Sequence, residues 1–209
     1  MNATNAAKLR GLYVVTDNVL TPPGVLQERV ALAISGGARV VQYRDKIKCG
    51  ALALVRELAA LCHRHGAPLI INDDAQLARD AGADGVHLGR DDAGVDAARR
   101  ILGPNAIIGV SCYDRLDLAV SARESGASYV AFGRFFPSLT KPQAVHAAVE
   151  LIPAARRRLD LPICAIGGID GDNAGRLVEA GADMVAVVGG VFAQRDIAAA
   201  AGRISRWFV

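Results

Sequence analysis

Eight short apolar segments, each leading into a helix-like stretch, predict an α/β chain folded as one closed (β/α)8 (TIM) barrel. Three observations carry that expectation. Four segments repeat one pattern: residues 37–42 (GARVVQ), 82–87 (GADGVH), 126–131 (GASYVA) and 181–186 (GADMVA), at intervals of 45, 44 and 55 residues. One strand plus one helix takes about 22–27 residues at this density, so each interval holds two βα units. Four more apolar runs rich in β-branched residues are 12–16 (LYVVT), 68–72 (PLIIN), 107–111 (IIGVS) and 162–166 (PICAI). The chain has 209 residues, close to the lower bound of about 200 for this architecture. A doubly wound open sheet is the rival, but the first strand ends Thr16-Asp17-Asn18 rather than in a G-x-G-x-x-G turn. No linker or low-complexity stretch interrupts the pattern. The expectation is one domain over residues 1–209, with a core of about 11–206.

Taken in order, each element has a local cause. The strands are short and nearly continuous in apolar residues, as strands covered on both faces should be. The glycine opening each repeat (Gly37, Gly82, Gly126, Gly181) reads as a helix C-cap, because the left-handed conformation there penalises a Cβ. Residues 51–63 carry apolar side chains at 51, 54, 55, 58, 59 and 62, the spacing of one helix face. Asp114 is the expected N-cap of a helix running to Glu124. Arg156, Arg157 and Arg158 read as a solvated helix end.

Composition excludes several classes. With 52% hydrophobic residues the chain is not globally disordered, and a chain this long buries roughly 70% of its unfolded surface. The formal net charge of +3 is too small to argue for nucleic acid or an anionic membrane. No stretch reaches the roughly 20 apolar residues a bilayer needs. The N-terminus lacks a signal-peptide apolar core. The cysteines at 49, 62, 112 and 164 show no two-residue spacing, so they read as small hydrophobes. The expected protein is cytoplasmic and reduced.

A barrel places its chemistry at the C-terminal ends of its strands. After strand 2, Gln42, Arg44 and Lys46 alternate and share one face if the strand continues. They then offer an amide and two cations to an anionic ligand, or form an ordinary charged loop. Strands 3 and 4 end in Asn72-Asp73-Asp74 and in Gly89-Arg90-Asp91-Asp92. Asp74 reads as a helix N-cap. Asp73 and Asp92 read as Mg2+ ligands from neighbouring strands, since two carboxylates that close need a cation between them. Ser111 either caps a helix or donates to a ligand oxygen. The loop after strand 6 carries Ser138, Thr140 and Lys141, a grip for phosphate oxygens, and residues 134–142 are long enough for a lid. Glycines follow strand 7 (Gly167, Gly168) and strand 8 (Gly189, Gly190), where a phosphate can approach backbone N–H groups. His87 reads as an oriented core or supporting imidazole. His63, His65 and His146 read as surface helix residues. The site then holds two anions face to face, a phosphate at strands 7 and 8 and a diphosphate at strands 2 to 6.

Six motifs in this order resemble the thiamine-phosphate synthase family: residues 41–46 (VQYRDK), 71–74 (INDD), 85–89 (GVHLG), 108–111 (IGVS), 136–141 (FPSLTK) and 166–169 (IGGI). The resemblance runs from about Leu12 to Ile204. It implies a transferase of thiamine biosynthesis that joins 4-amino-2-methyl-5-pyrimidinylmethyl diphosphate to a thiazole phosphate, commonly its carboxylated tautomer. It implies that Gln42, Arg44, Lys46, Asn72, Ser111 and Lys141 contact the pyrimidine diphosphate, with Arg44, Lys46, Ser111 and Lys141 catalytic. It implies Asp73 and Asp92 as ligands of the cofactor Mg2+. Ser138 and Thr140 are then expected on the thiazole phosphate, and Gly168 with Val188 and Gly189 on its phosphate group.

Several positions depart from the family's commoner pattern. Tyr43 stands for Leu, Arg90 for Gln, Arg134 for Pro, Ser138 for Thr and Gly189 for Ser. These bear on affinity rather than reaction type. The implied chemistry expels diphosphate from the pyrimidine methylene and needs no protein nucleophile, in keeping with the lack of a Ser-His-Asp relay. The alternatives are a thiazole tautomerase of the same structural family and a non-catalytic sensor of phosphorylated ligands. Expected partners are two small phosphorylated substrates, without nucleic acid or membrane; a homo-oligomer is left open.

Overall fold

The computed structural model describes residues 9–47, 50–89, 92, 94–137 and 145–208. Eight parallel strands pair in chain order and close, β8 pairing with β1. They are β1 (Gly11–Val15), β2 (Ala38–Tyr43), β3 (Leu69–Asn72), β4 (Gly85–Leu88), β5 (Ile107–Tyr113), β6 (Tyr129–Gly133), β7 (Ile163–Ile166) and β8 (Met184–Val187). One helix follows each of the first seven: α1 (Leu26–Ser35), α2 (Leu52–Arg64), α3 (Ala75–Ala81), α4 (Val95–Leu102), α5 (Leu116–Glu124), α6 (Leu151–Arg156) and α7 (Ala174–Glu179). After β8 come a single turn, α8 (Gly189–Phe192), and α9 (Ile197–Ser205). The expected barrel is present, every strand in its expected place.

Alternation along the strands divides the apolar residues into two layers. Tyr13, Val15, Val40, Ile70, Ile107, Tyr129, Ala131, Cys164, Met184 and Ala186 pack together as the barrel interior. Their sequence neighbours, among them Leu12, Val14, Val41, Ile71, Val86, Ile108, Val130 and Val185, pack outward against the helices. α2 shows how the helices meet this layer, burying Val55, Leu58, Ala59 and Cys62 at helical spacing.

The repeat owes part of its form to a reciprocal clasp at the bottom of the barrel. In each of the last three copies the third residue holds both backbone groups of a residue at the start of the preceding strand. Asp84 N–H donates to the Leu69 carbonyl (2.8 Å) and its Oδ2 accepts from Leu69 N–H (2.8 Å). Asp183 does the same to Ile163 (2.9 and 2.7 Å), and Ser128 to Ile108 (2.7 and 3.0 Å). The clasp satisfies strand-end groups that burial would otherwise leave unpaired. His63 approaches Asp84 (2.8 Å) and Arg156 pairs with Asp183, so the outer layer is tied to the same carboxylates.

Local expectations held in part. Asp74 caps α3, accepting from Leu77 N–H at 2.8 Å, and Gly82 ends that helix in the left-handed region (φ 69). Asp114 does not cap α5: Arg115 occupies that position with no side-chain cap bond, because β5 runs on to Tyr113 through a register shift. Arg156 to Arg158 form an exposed helix end as expected. His146 is exposed but lies outside any helix.

Cys62, Cys112 and Cys164 are buried and free; Cys49 lies outside the described residues. Burial pushes the Cys62 and Cys112 thiols up to about 12 and raises that of Cys164. Folded Cys49→Ser protein at pH 8 should therefore give no prompt reaction with a thiol reagent and three equivalents after denaturation. Rapid labelling of the folded variant would contradict the burial of these thiols. Among the described residues no helix is long and apolar enough to cross a membrane.

Candidate active site

The C-terminal ends of the strands form the barrel mouth. β2 stops at Tyr43, so the shared face expected for residues 42, 44 and 46 does not exist. Gln42 alone is a strand residue; it is buried and aimed into the barrel, its Nε2 donating to the Tyr13 hydroxyl at 2.8 Å. Arg44 and Lys46 stand on the loop beyond. That loop is fixed from the β1 loop: Arg44 N–H donates to Thr16 Oγ1 (2.9 Å) and Lys46 N–H to Asn18 Oδ1 (3.0 Å). Arg44 Nη1 lies 4.0 Å from Asp17 Oδ2.

Tyr43 faces away from the opening. Its hydroxyl donates to Asp45 (3.1 Å), which also accepts from Asn18 Nδ2 (2.7 Å) and Gly50 N–H (2.8 Å). Partial burial alone would raise the Asp45 carboxyl, but these donors hold it below the usual carboxylate range. Relative to Leu, Tyr43 thus adds a hydroxyl that is bonded to the loop.

The acidic pair is assembled as expected. β3 and β4 are neighbours, with Asn72 opposite His87, and the next residue, Asp73, donates its N–H to the His87 carbonyl (2.8 Å). Asp73 holds a left-handed backbone (φ 66), uncommon for a residue with a Cβ and recurrent at functional sites. Its carboxylate pairs with Lys46 and touches the carboxyl of Asp92. Asp92 Oδ2 accepts from Gly89 N–H at 2.6 Å. Burial works against the charge on both groups. Lys46 nevertheless holds Asp73 below the usual range, while burial and the Asp73 charge push Asp92 above it. Two carboxyl groups in contact, one cation beside them, are a donor set of hard oxygens that a divalent ion would relieve of repulsion.

Ser111 lies inside β5, which ends the alternative that it caps a helix. Its Oγ is 2.9 Å from His87 Nε2. His87 Nδ1 is 2.9 Å from the Tyr129 hydroxyl, which is 2.9 Å from that of Tyr13. Sequence reasoning missed Tyr13 and Tyr129. A usable signal existed: each is a phenol at an inward strand position, where a hydroxyl needs a buried partner.

The two glycine turns meet at the far side. Gly167 (φ 104) and Gly168 (φ 66) follow β7. A Cβ on Gly168 would lie 2.3 Å from the Pro137 carbonyl oxygen and 2.7 Å from Phe136 C, so the turn packs directly under the β6 loop. Phe136 N–H donates to the Gly167 carbonyl (3.0 Å) and Asn173 Nδ2 to that of Gly168 (2.9 Å). Val188 precedes and Gly189 begins α8, whose first N–H groups have no partner within the helix. A Cβ on Gly190 would lie 2.2 Å from the Ile169 carbonyl oxygen, which sets the two turns side by side. Arg134 closes the base of the β6 loop through backbone bonds to Val145 and Ala147 (both 2.8 Å). Arg90, Ser138, Thr140 and Lys141, and most of the expected lid, lie outside the described residues.

A closed parallel barrel with an acidic pair, cations and two glycine turns around one mouth defines a class, the (β/α)8-barrel enzymes. The family model described as thiamine monophosphate synthase matches residues 12–191. The thiamine-phosphate synthase of Nitrosococcus oceani is 51% identical over 205 residues, covering 97% of this chain and 94% of the relative. That of Thioalkalivibrio sulfidiphilus is 52% identical over 203 residues, covering 96% of each chain. The solved thiamine phosphate pyrophosphorylase of Pyrococcus furiosus superposes with a TM-score of 0.84 at 32% identity, covering 98% of this chain and 97% of that one. The chain belongs to the thiamine monophosphate synthase family, a family of transferases, and thiamine-phosphate synthesis is its activity.

Proposed function

We propose that the chain, working in the cytoplasm, condenses 4-amino-2-methyl-5-pyrimidinylmethyl diphosphate with the thiazole phosphate, carboxylated or not, by a dissociative substitution. The C–O bond at the pyrimidine methylene breaks and its electron pair leaves with diphosphate. The ring amino group feeds electrons to the carbocation, and the thiazole nitrogen lone pair forms the new C–N bond. No group of the protein is covalently engaged. Its tasks are to stabilise leaving-group charge and to hold two reactants in line.

Arg44, Lys46, Ser111 and Lys141 donate to the diphosphate as charge develops on it, and Gln42 and Asn72 orient the pyrimidine. Asp73 and Asp92 hold Mg2+, which when bound supplies neutralisation of diphosphate charge. Ser138 and Thr140 hold the thiazole phosphate, with its phosphate group on the backbone of Gly168, Val188 and Gly189. The observation that supports this reading most is the contact between the Asp73 and Asp92 carboxyl groups beside Lys46. A site for one monophosphate and a proton shuttle gives no reason to concentrate such charge.

Diphosphate release, measured with both substrates and with Mg2+ or excess chelator, tests the reading. Release and thiamine phosphate formation that need Mg2+ support it. Isomerisation of the thiazole phosphate without diphosphate release would favour the tautomerase, and binding of both substrates without turnover would favour the sensor.

Gly189 gives a smaller prediction. A Cβ there would meet only Ala193 Cβ, at an ordinary 3.9 Å. Gly189→Ser should fold normally, add a hydroxyl donor at the phosphate turn and lower KM for the thiazole phosphate about threefold, within the worth of one hydrogen bond. An unchanged or raised KM would place the phosphate elsewhere.

A further inference from the structure

Hydrogen bonds run unbroken through the barrel interior from Gln42 to Ser111, by way of Tyr13, Tyr129 and His87. Both ends are residues of the proposed pyrimidine diphosphate site, and the three between them touch no ligand in that reading. The chain spans β1, β2, β4, β5 and β6, so it ties five strands across the barrel interior. Space for it is built in. Gly109 pairs in register with both His87 and Tyr129, and a Cβ there would lie 2.0 Å from Tyr129 Cζ. The His87 and Tyr129 rings stack with centroids 5.6 Å apart, and the Tyr13 ring meets Tyr129 edge-on at 6.0 Å.

Counting hydrogens gives the chain a direction. Gln42 Nε2 donates to the Tyr13 oxygen. The one hydrogen of Tyr13 must then go to Tyr129, or it would be buried without an acceptor. By the same count the Tyr129 hydrogen goes to His87 Nδ1. In the neutral imidazole that leaves the one ring hydrogen on Nε2, donating to Ser111 Oγ. The Ser111 hydrogen is thereby turned away from His87.

We infer that Tyr13, Tyr129 and His87 are positioning residues: by holding His87 as the Nε2–H tautomer they make Ser111 a donor toward the leaving diphosphate. The opposite polarity would make Ser111 donate to His87 and present lone pairs to an anion. The inference rests on the proposed placement of the diphosphate at Ser111, but its tautomer assignment can be tested without turnover.

The first arm is 15N NMR of the full chain labelled at histidine, with His87 assigned by comparison with His87→Gln. A pyridine-like Nδ1 and a protonated Nε2 are expected. A proton on Nδ1, or on both nitrogens, would overturn the inference whatever the enzyme catalyses. The second arm is steady-state kinetics. Tyr129→Phe removes one hydroxyl and keeps the ring, and should lower kcat about tenfold with KM for the thiazole phosphate unchanged. His87→Gln keeps a donor near the Nε2 position and should retain more kcat than His87→Ala. Wild-type kcat in Tyr129→Phe, or equal loss in the two His87 variants, would reduce the chain to barrel filling. If Tyr129→Phe does not fold, the NMR arm and the His87 pair still decide.

Discussion

Asp73→Asn should lower diphosphate release by at least about a hundredfold at saturating Mg2+ while leaving the barrel folded. Asn is chosen because the backbone at 73 sits at φ 66, a conformation that Asn tolerates better than Ala. The amide keeps the size of the side chain and removes the charge that pairs with Lys46 and faces Asp92. Without that charge the site loses a hard anionic oxygen ligand, and Lys46 loses its partner. Relieved of the Asp73 charge, Asp92 should titrate closer to an ordinary carboxylate. In the wild type the raised Asp92 takes up its proton earlier than an ordinary carboxyl as pH falls, so the Mg2+ concentration needed for half-maximal rate should rise on the acid side. In Asp73→Asn the residual rate should show that dependence only at lower pH. A variant with wild-type kcat and wild-type Mg2+ response would remove Asp73 from the site.

Gly168→Ala is expected to be the second large effect, through the backbone. The position has φ 66, so a Cβ is strained whatever the space, and the space is filled by the Phe136–Pro137 peptide at 2.3–2.7 Å. That peptide is backbone at the root of the β6 loop, so relief must come from moving the loop or the turn. Either movement displaces the groups proposed to hold the thiazole phosphate. We expect kcat/KM for the thiazole phosphate to fall by about a hundredfold, with a much smaller change in KM for the pyrimidine diphosphate. Equal loss for both substrates would indicate general misfolding instead, and no loss would mean that the turn does not carry the phosphate.

The barrel was legible because its cause is periodic. Strand-forming residues recur with a glycine before them, and the third residue of the repeat does the same bonding work at Asp84, Ser128 and Asp183. The acidic pair was legible because adjacent parallel strands bring their ends together, and Asp73 and Asp92 each follow such an end. Alternation misled at Arg44 and Lys46, since strand length depends on pairing: β2 finds partners only to Tyr43. The Asp114 cap failed for the same reason in reverse, because β5 continues past Ser111. The inner network was invisible because its members are far apart in sequence; Tyr13 and Tyr129 are 116 residues apart. Only the closed barrel sets their hydroxyls within hydrogen-bonding distance.

Titration calorimetry of Mg2+ into the protein with saturating inorganic diphosphate, repeated for Asp73→Asn and Asp92→Asn, bears most directly on the acidic pair. One Mg2+ per chain should bind to the wild type, and both variants should lose at least about tenfold in affinity. Wild-type Mg2+ affinity in both would contradict the account, since the carboxylates could not then be what holds the ion against the diphosphate.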